Sequence, residues 1–233
     1  MNNISKAKAC SVFKEKKGNQ MEKEAQEPRG WWYARFRMKW PENQTPDWHV
    51  DLLLAHKIIT PVLNRYMTNI DLWRFHRRAA RDEEGHQFSI TFYSSPGTAQ
   101  QVFSALKSDK LLKRMKRAGI IIQDLYEDPS RMIAPQIEDT SDGNWSPTIR
   151  KSWPYFIMGV CEMWLNLIDE LSKNTLAAQK RPSLKKLLAL YQQTNETIKN
   201  LWQTEGGHSL LHHLNAIFGY EPVLIHEVNL RRF

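Results

Sequence analysis

Arg77 is the first residue whose type and setting could do chemistry. The run from Asp71 to Ala79 alternates, with Trp73 and Phe75 on one side and Arg74, His76 and Arg78 on the other. Arg77 therefore shares the apolar side. A guanidinium there keeps its charge and needs a paired anion. Either it emerges into solvent past the buried part of the strand, or it binds a ligand carboxylate.

The histidines near the C-terminus come next. His212 and His213 are adjacent, so on a helix they point about 100° apart and only one can face the side of Leu210, Leu214 and Ile217. That imidazole is either a hydrogen-bonded core residue or an acid–base catalyst. His208 and His212 have the spacing of two metal ligands on one helix face, but Gly206 and Gly207 precede them and no third ligand is marked. No metal is expected. Cys161 lies on an apolar helix face without cationic neighbours and reads as an inert buried thiol. There is no Gly-rich phosphate loop, no G-x-S-x-G turn and no H-E-x-x-H.

The elements that must position these residues come from a chain of 233 residues with net charge +8, 41% hydrophobic and 25% charged. That is globular composition, long enough for a full core. No apolar run is long enough to span a membrane, and the Lys-rich start lacks the apolar stretch of a secretory signal. The only cysteines, Cys10 and Cys161, are far apart, which excludes a disulfide scaffold and fits a reducing, cytoplasmic setting. The positive charge comes in bursts, most densely from Lys107 to Arg117. These read as solvated helix faces or as attraction to an anionic partner.

Residues 1–30 read as a basic tail. Trp31 to Trp40 alternates strictly and predicts a strand ending at Pro41. Thr45-Pro46-Asp47 predicts a helix start, and Pro61 a kink near Ile59. Two further alternating runs, joined at Asp82-Glu83-Glu84-Gly85, predict a hairpin. A second helix is expected from Ser95 to Gly119, then a strand over 120–126. Strand, helix, strand, strand, helix, strand is the ferredoxin-like pattern, so the fold class is α+β: an antiparallel sheet with two helices over 31–127. A linker over 128–147 leads into a helical half, 148–233. There Ser183 caps one helix, Gly206-Gly207 break it, a last helix stops at Gly219, and a short strand over 222–228 closes the chain.

The runs Trp32-Tyr33 to Phe36, Asp51-Leu52-Leu53 with Pro61, Trp73-Arg74-Phe75-His76-Arg77, and Ser209-Leu210-Leu211-His212-His213-Leu214-Asn215-Ala216-Ile217-Phe218-Gly219 stand in this order. Together they resemble the lantibiotic dehydratase C-terminal domain, also called the thiopeptide-type bacteriocin biosynthesis domain. That resemblance implies work on a ribosomally made precursor peptide beside a partner dehydratase or other biosynthetic enzyme. The reaction would be glutamate elimination from modified Ser or Thr, or ring closure between dehydroalanines, without cofactor or metal. It places Arg77, His86 and His212 or His213 in catalysis, with Arg74, Arg78 and Asn215 holding substrate. The chain departs from the family where two arginines become Phe88 and Ile90 and an Asn-Arg pair becomes Asn215-Ala216. The losses of cations favour a second reading, a non-catalytic peptide-binding module. A third, nucleic-acid binding on the open sheet face, is disfavoured because Tyr33 is its one clear aromatic.

Overall fold

The computed structural model describes residues 27–177 and 182–222. Most of the predicted tail, Cys10, and all but the first residue of the predicted strand over 222–228 lie outside the described residues. The tail ends earlier than expected: β1 spans Gly30–Met38, and Arg29 pairs with Asp71 at 2.6 Å.

The architecture is α+β. β1, β2 (Ile70–Ala79), β3 (His86–Ser94) and β4 (Ile121–Tyr126) form one sheet in the order β2-β3-β1-β4, every pair antiparallel. The alternation in the sequence becomes two faces. Trp32, Ala34, Phe36, Trp73, Phe75, Phe88, Ile90 and Phe92 are buried on one, in a core shared with the helices. The other face carries Tyr33, Arg35, Arg37, Arg74, His76 and Arg78, none of them fully buried. The β2–β3 turn closes on Gly85 at φ +65°, where Asp82 Oδ1 accepts the N–H groups of Glu84 and Gly85.

The first helical stretch starts later than Thr45. Trp48 N–H turns back onto the Pro46 carbonyl at 2.9 Å, so α1 spans Trp48–Leu53. Pro61 acts as its chemistry demands, though by widening the helix instead of breaking it. Leu54–Ile59 forms a π-helical turn before α2, Thr60–Tyr66. Thr60 Oγ1 donates to the Ala55 carbonyl at 2.7 Å. The expected single helix after Ser95 is two, α3 (Pro96–Ser108) and α4 (Lys110–Arg117). Asp109 leaves helical geometry, and its side chain accepts the Leu112 N–H at 2.8 Å as a new N-cap.

After a loop with a 3₁₀ turn at Ile137–Thr140, α5 runs over Pro147–Ala177. Ser183 caps α6, Leu184–Gly206, as its sequence predicts. The Gly206-Gly207 pair does not end the helix. The chain passes into a second π-helical turn, Gly207–His212, and then α7, His213–Ile217, with Gly219 at φ +74° beyond it. The helical half is no separate body. Cys161 and Ile168 of α5 and Leu187 and Tyr191 of α6 belong to the same core as the sheet.

Candidate functional site

Strand alternation carries Arg77 onto the apolar face of β2, where the anion it requires comes from the chain itself. Nε donates to Asp51 Oδ2 at 2.8 Å and Nη2 to the Trp48 carbonyl at 3.0 Å. The guanidinium carbon lies 4.9 Å from the Trp48 ring and 5.1 Å from the Trp164 ring. Asp51 is fully buried on α1. Its other oxygen stands 3.1 Å from His86 Nε2, outside the angular range of a hydrogen bond. His86 is also fully buried, edge-on to Trp48 with ring centroids 4.9 Å apart. Asp51 thus stands between the guanidinium of Arg77, which reaches the surface, and the sealed imidazole of His86.

Arg77 opens onto a groove of about 730 Å³ between the edge of β2, α5 and the end of α6. Its walls are mainly apolar, with Phe75, Trp164, Ile198, Leu201 and Trp202. Nη1 of Arg77 makes no hydrogen bond among the described residues and remains for a ligand. Cys161 lines the same groove, but burial pushes its thiol up, and its sulfur accepts the Phe75 main-chain N–H at 3.3 Å. It is not a nucleophile in this state.

The imidazole on the groove is His76, from the strand edge. Burial and the arginines at 74, 78 and 35 lower its pKa, so it is neutral at neutral pH. His212 and His213 are exposed and do not line this groove, although Ser209 and Leu210 on the same helical stretch do. Instead His208, His212 and His213 cluster with ring centroids 5.2–5.5 Å apart. The π-helical turn explains this, because its wider coil brings residues four and five apart onto one side. Among the described residues, no three such side chains are arranged to hold a metal. Asn215 serves through its backbone carbonyl, which accepts the N–H of Phe218 and of Tyr220.

Three further expectations change. His86 has no exposed surface with which to meet a substrate, and it lies beside Asp51 without a hydrogen bond to it. Arg74 and Arg78 point away from the groove. Arg74 lies over Trp153 and donates to the Thr140 carbonyl; Arg78 pairs with Asp82, whose carboxyl falls to about 2 mainly through that bond.

Asp51, Trp164 and Trp202 are the site residues that motif spacing missed. A carboxylate inside the apolar run Val50–Ala55 does mark a buried, paired charge. A second polar cluster also escaped. His56 Nε2 lies 3.3 Å from Asp169 Oδ1, and Nδ1 lies 2.9 Å from Tyr191 Oη and 3.4 Å from Ser172 Oγ. Ser172 and Tyr191 have no exposed surface, and this set ties three helical segments together.

Comparison with protein-family models, with curated proteins and with solved structures gives no match. Among the described residues, no helix is long and apolar enough to cross a membrane.

Proposed function

We propose that this chain is a peptide-binding module of a peptide-tailoring system. It takes an apolar stretch of a ribosomally made precursor into the groove and an acidic group of that peptide onto Arg77. One observation carries this reading: a mainly apolar cleft whose polar end is a half-paired guanidinium. Apolar walls supply affinity, and Arg Nη1 supplies direction by a charge-assisted bond.

The test is calorimetric titration of a Phe- and Leu-rich decapeptide, with its terminal carboxylate free or amidated. Micromolar binding of the free acid is expected, weakened about tenfold by amidation, in line with a charge-assisted bond of ~1.5 kcal/mol or more. Trp202→Ala should weaken both forms. Absence of binding, or binding indifferent to Trp202→Ala, overturns the reading.

A second reading, glutamate elimination, is favoured by His76 sharing the groove with Arg77. Neutral His76 would take the Cα proton as the glutamate carboxylate leaves Cβ, the electron pair closing the new double bond, while Arg77 attracts the departing carboxylate. Incubation with a glutamylated peptide and mass spectrometry would then show loss of glutamate, abolished by His76→Ala and retained in His212→Ala. Retained activity in His76→Ala rejects it.

A further inference from the structure

The sheet face turned away from the core is built as a trough. Register places residues of β2, β3 and β1 in cross-strand rows: Arg74–Thr91–Tyr33, His76–Ser89–Arg35 and Arg78–Gln87–Arg37. The floor along β3 is therefore hydroxyl and amide. One wall is Arg74, His76 and Arg78; the other is Tyr33, Arg35 and Arg37. With strands about 4.8 Å apart, the walls stand roughly 10 Å from each other, and successive rows are about 6.8 Å apart along the trough. The floor residues Gln87, Ser89 and Thr91 are buried although no helix of the core layer covers that side.

The charges on this face are only partly answered. Arg78 is paired with Asp82, and Arg74 is held by Trp153 and the Thr140 carbonyl, which close one end. Glu127 accepts the Tyr33 main-chain N–H at 3.2 Å, near Arg35. Among the described residues, Arg35 and Arg37 form no ion pair; Arg35 lies 4.3 Å from the Tyr33 ring centroid. The cations on both walls lower the proton affinity of His76, a sign of one shared positive field.

We propose that this trough binds a phosphodiester chain, as single-stranded nucleic acid. The cations in these rows are all arginines, and a guanidinium fork matches two phosphate oxygens. Each phosphate of a strand in the trough can face both walls at once, whereas an extended acidic peptide turns alternate side chains away. Tyr33 offers a ring at one end for stacking. This site shares only His76, on the strand edge, with the peptide groove, and its test rests on Arg35 and Arg37 alone.

The test is fluorescence anisotropy with a labelled dodecathymidylate at 50 and 200 mM NaCl. Micromolar binding at the lower salt is expected, weakened at least tenfold at the higher. Arg35→Gln/Arg37→Gln should weaken binding about tenfold and flatten the salt slope by about 1.4, two phosphate contacts at roughly 0.7 each. Thermal melting establishes that this variant is folded. Lys113→Ala/Arg117→Ala on α4 and Trp202→Ala in the groove should bind as the parent does. The proposal is overturned if the Arg35/Arg37 variant binds like the parent. It is equally overturned if the α4 variant loses as much, or if polyglutamate of matched charge displaces the oligonucleotide at equal concentration. The last result would assign the trough to acidic peptides.

Discussion

Arg77 Nε donates to Asp51 Oδ2 across 2.8 Å, and the two partners are unequally sheltered: the carboxylate side chain is 0% exposed and the guanidinium 31%. Losing the cation strands a buried anion. Arg77→Ala should cost about 3–5 kcal/mol of stability, the range for breaking a buried pair from one side. Urea denaturation should also show Arg77→Ala/Asp51→Ala losing less than the sum of the single variants, with a coupling of about 1 kcal/mol or more. Strict additivity would show that the pair does not act as one.

His49, His56 and His76 all have pKa values lowered from 6.5, in each case chiefly by burial. Above 6.5 they are neutral in both the folded and the unfolded chain and add no pH dependence. As pH falls through 6.5, the unfolded chain takes up protons that the folded one refuses, so stability drops. Denaturation midpoints measured from pH 8 to pH 5 should therefore decline on the acid side, before the ordinary carboxylate range. His56→Gln should flatten part of that decline.

Thr60 completes the wide turn that Pro61 requires, by donating its hydroxyl to the Ala55 carbonyl. Thr60→Val keeps the shape and removes the donor. The expected loss is about 1 kcal/mol, read from the urea midpoint. An unchanged midpoint would mean that the bond adds nothing over hydration.

The Cys161 thiol is buried, raised in pKa and already engaged with Phe75. Iodoacetamide should label it at least a hundredfold more slowly in the native protein than in urea, followed by mass spectrometry of the peptide that contains it. Equal rates would show that the α5–β2 seam opens freely.

Gly206 lies beneath the Trp202 ring, where an added Cβ would stand 3.0 Å from Trp202 Cε3. Gly206→Ala should favour the helix, by up to about 1 kcal/mol, yet push the ring from its place on the groove. Peptide affinity should fall severalfold while the melting temperature holds or rises. Falling together, the two would point to a general loss of packing.

The sheet was legible because period-two alternation of apolar and polar residues is local. Trp31 to Trp40 and Phe88 to Phe92 state their faces without any partner. The break at Asp109 was not, since apolar residues recur at helical spacing on both sides of it and only the cap reveals it. Pro61 announced a disturbance, but not that it would be a π turn closed by the Thr60 N–H on the Ala55 carbonyl. Arg77 could be assigned a face but not a partner, because Asp51 lies 26 residues away on another element. The C-terminal histidines show the opposite failure. The family resemblance set His212 or His213 beside Arg77, and the wider coil after Gly206 turns these histidines into a cluster of their own.

β2 is the outer strand of the sheet, and α5 lies along it with a sulfur set against one of its outward amides. An uncovered strand margin is a template on which another chain can lengthen the sheet. A fragment ending near residue 127 would thus keep every strand of the described residues and still fail as an independent unit, self-associating through the margin that the long helix occupies in the whole chain.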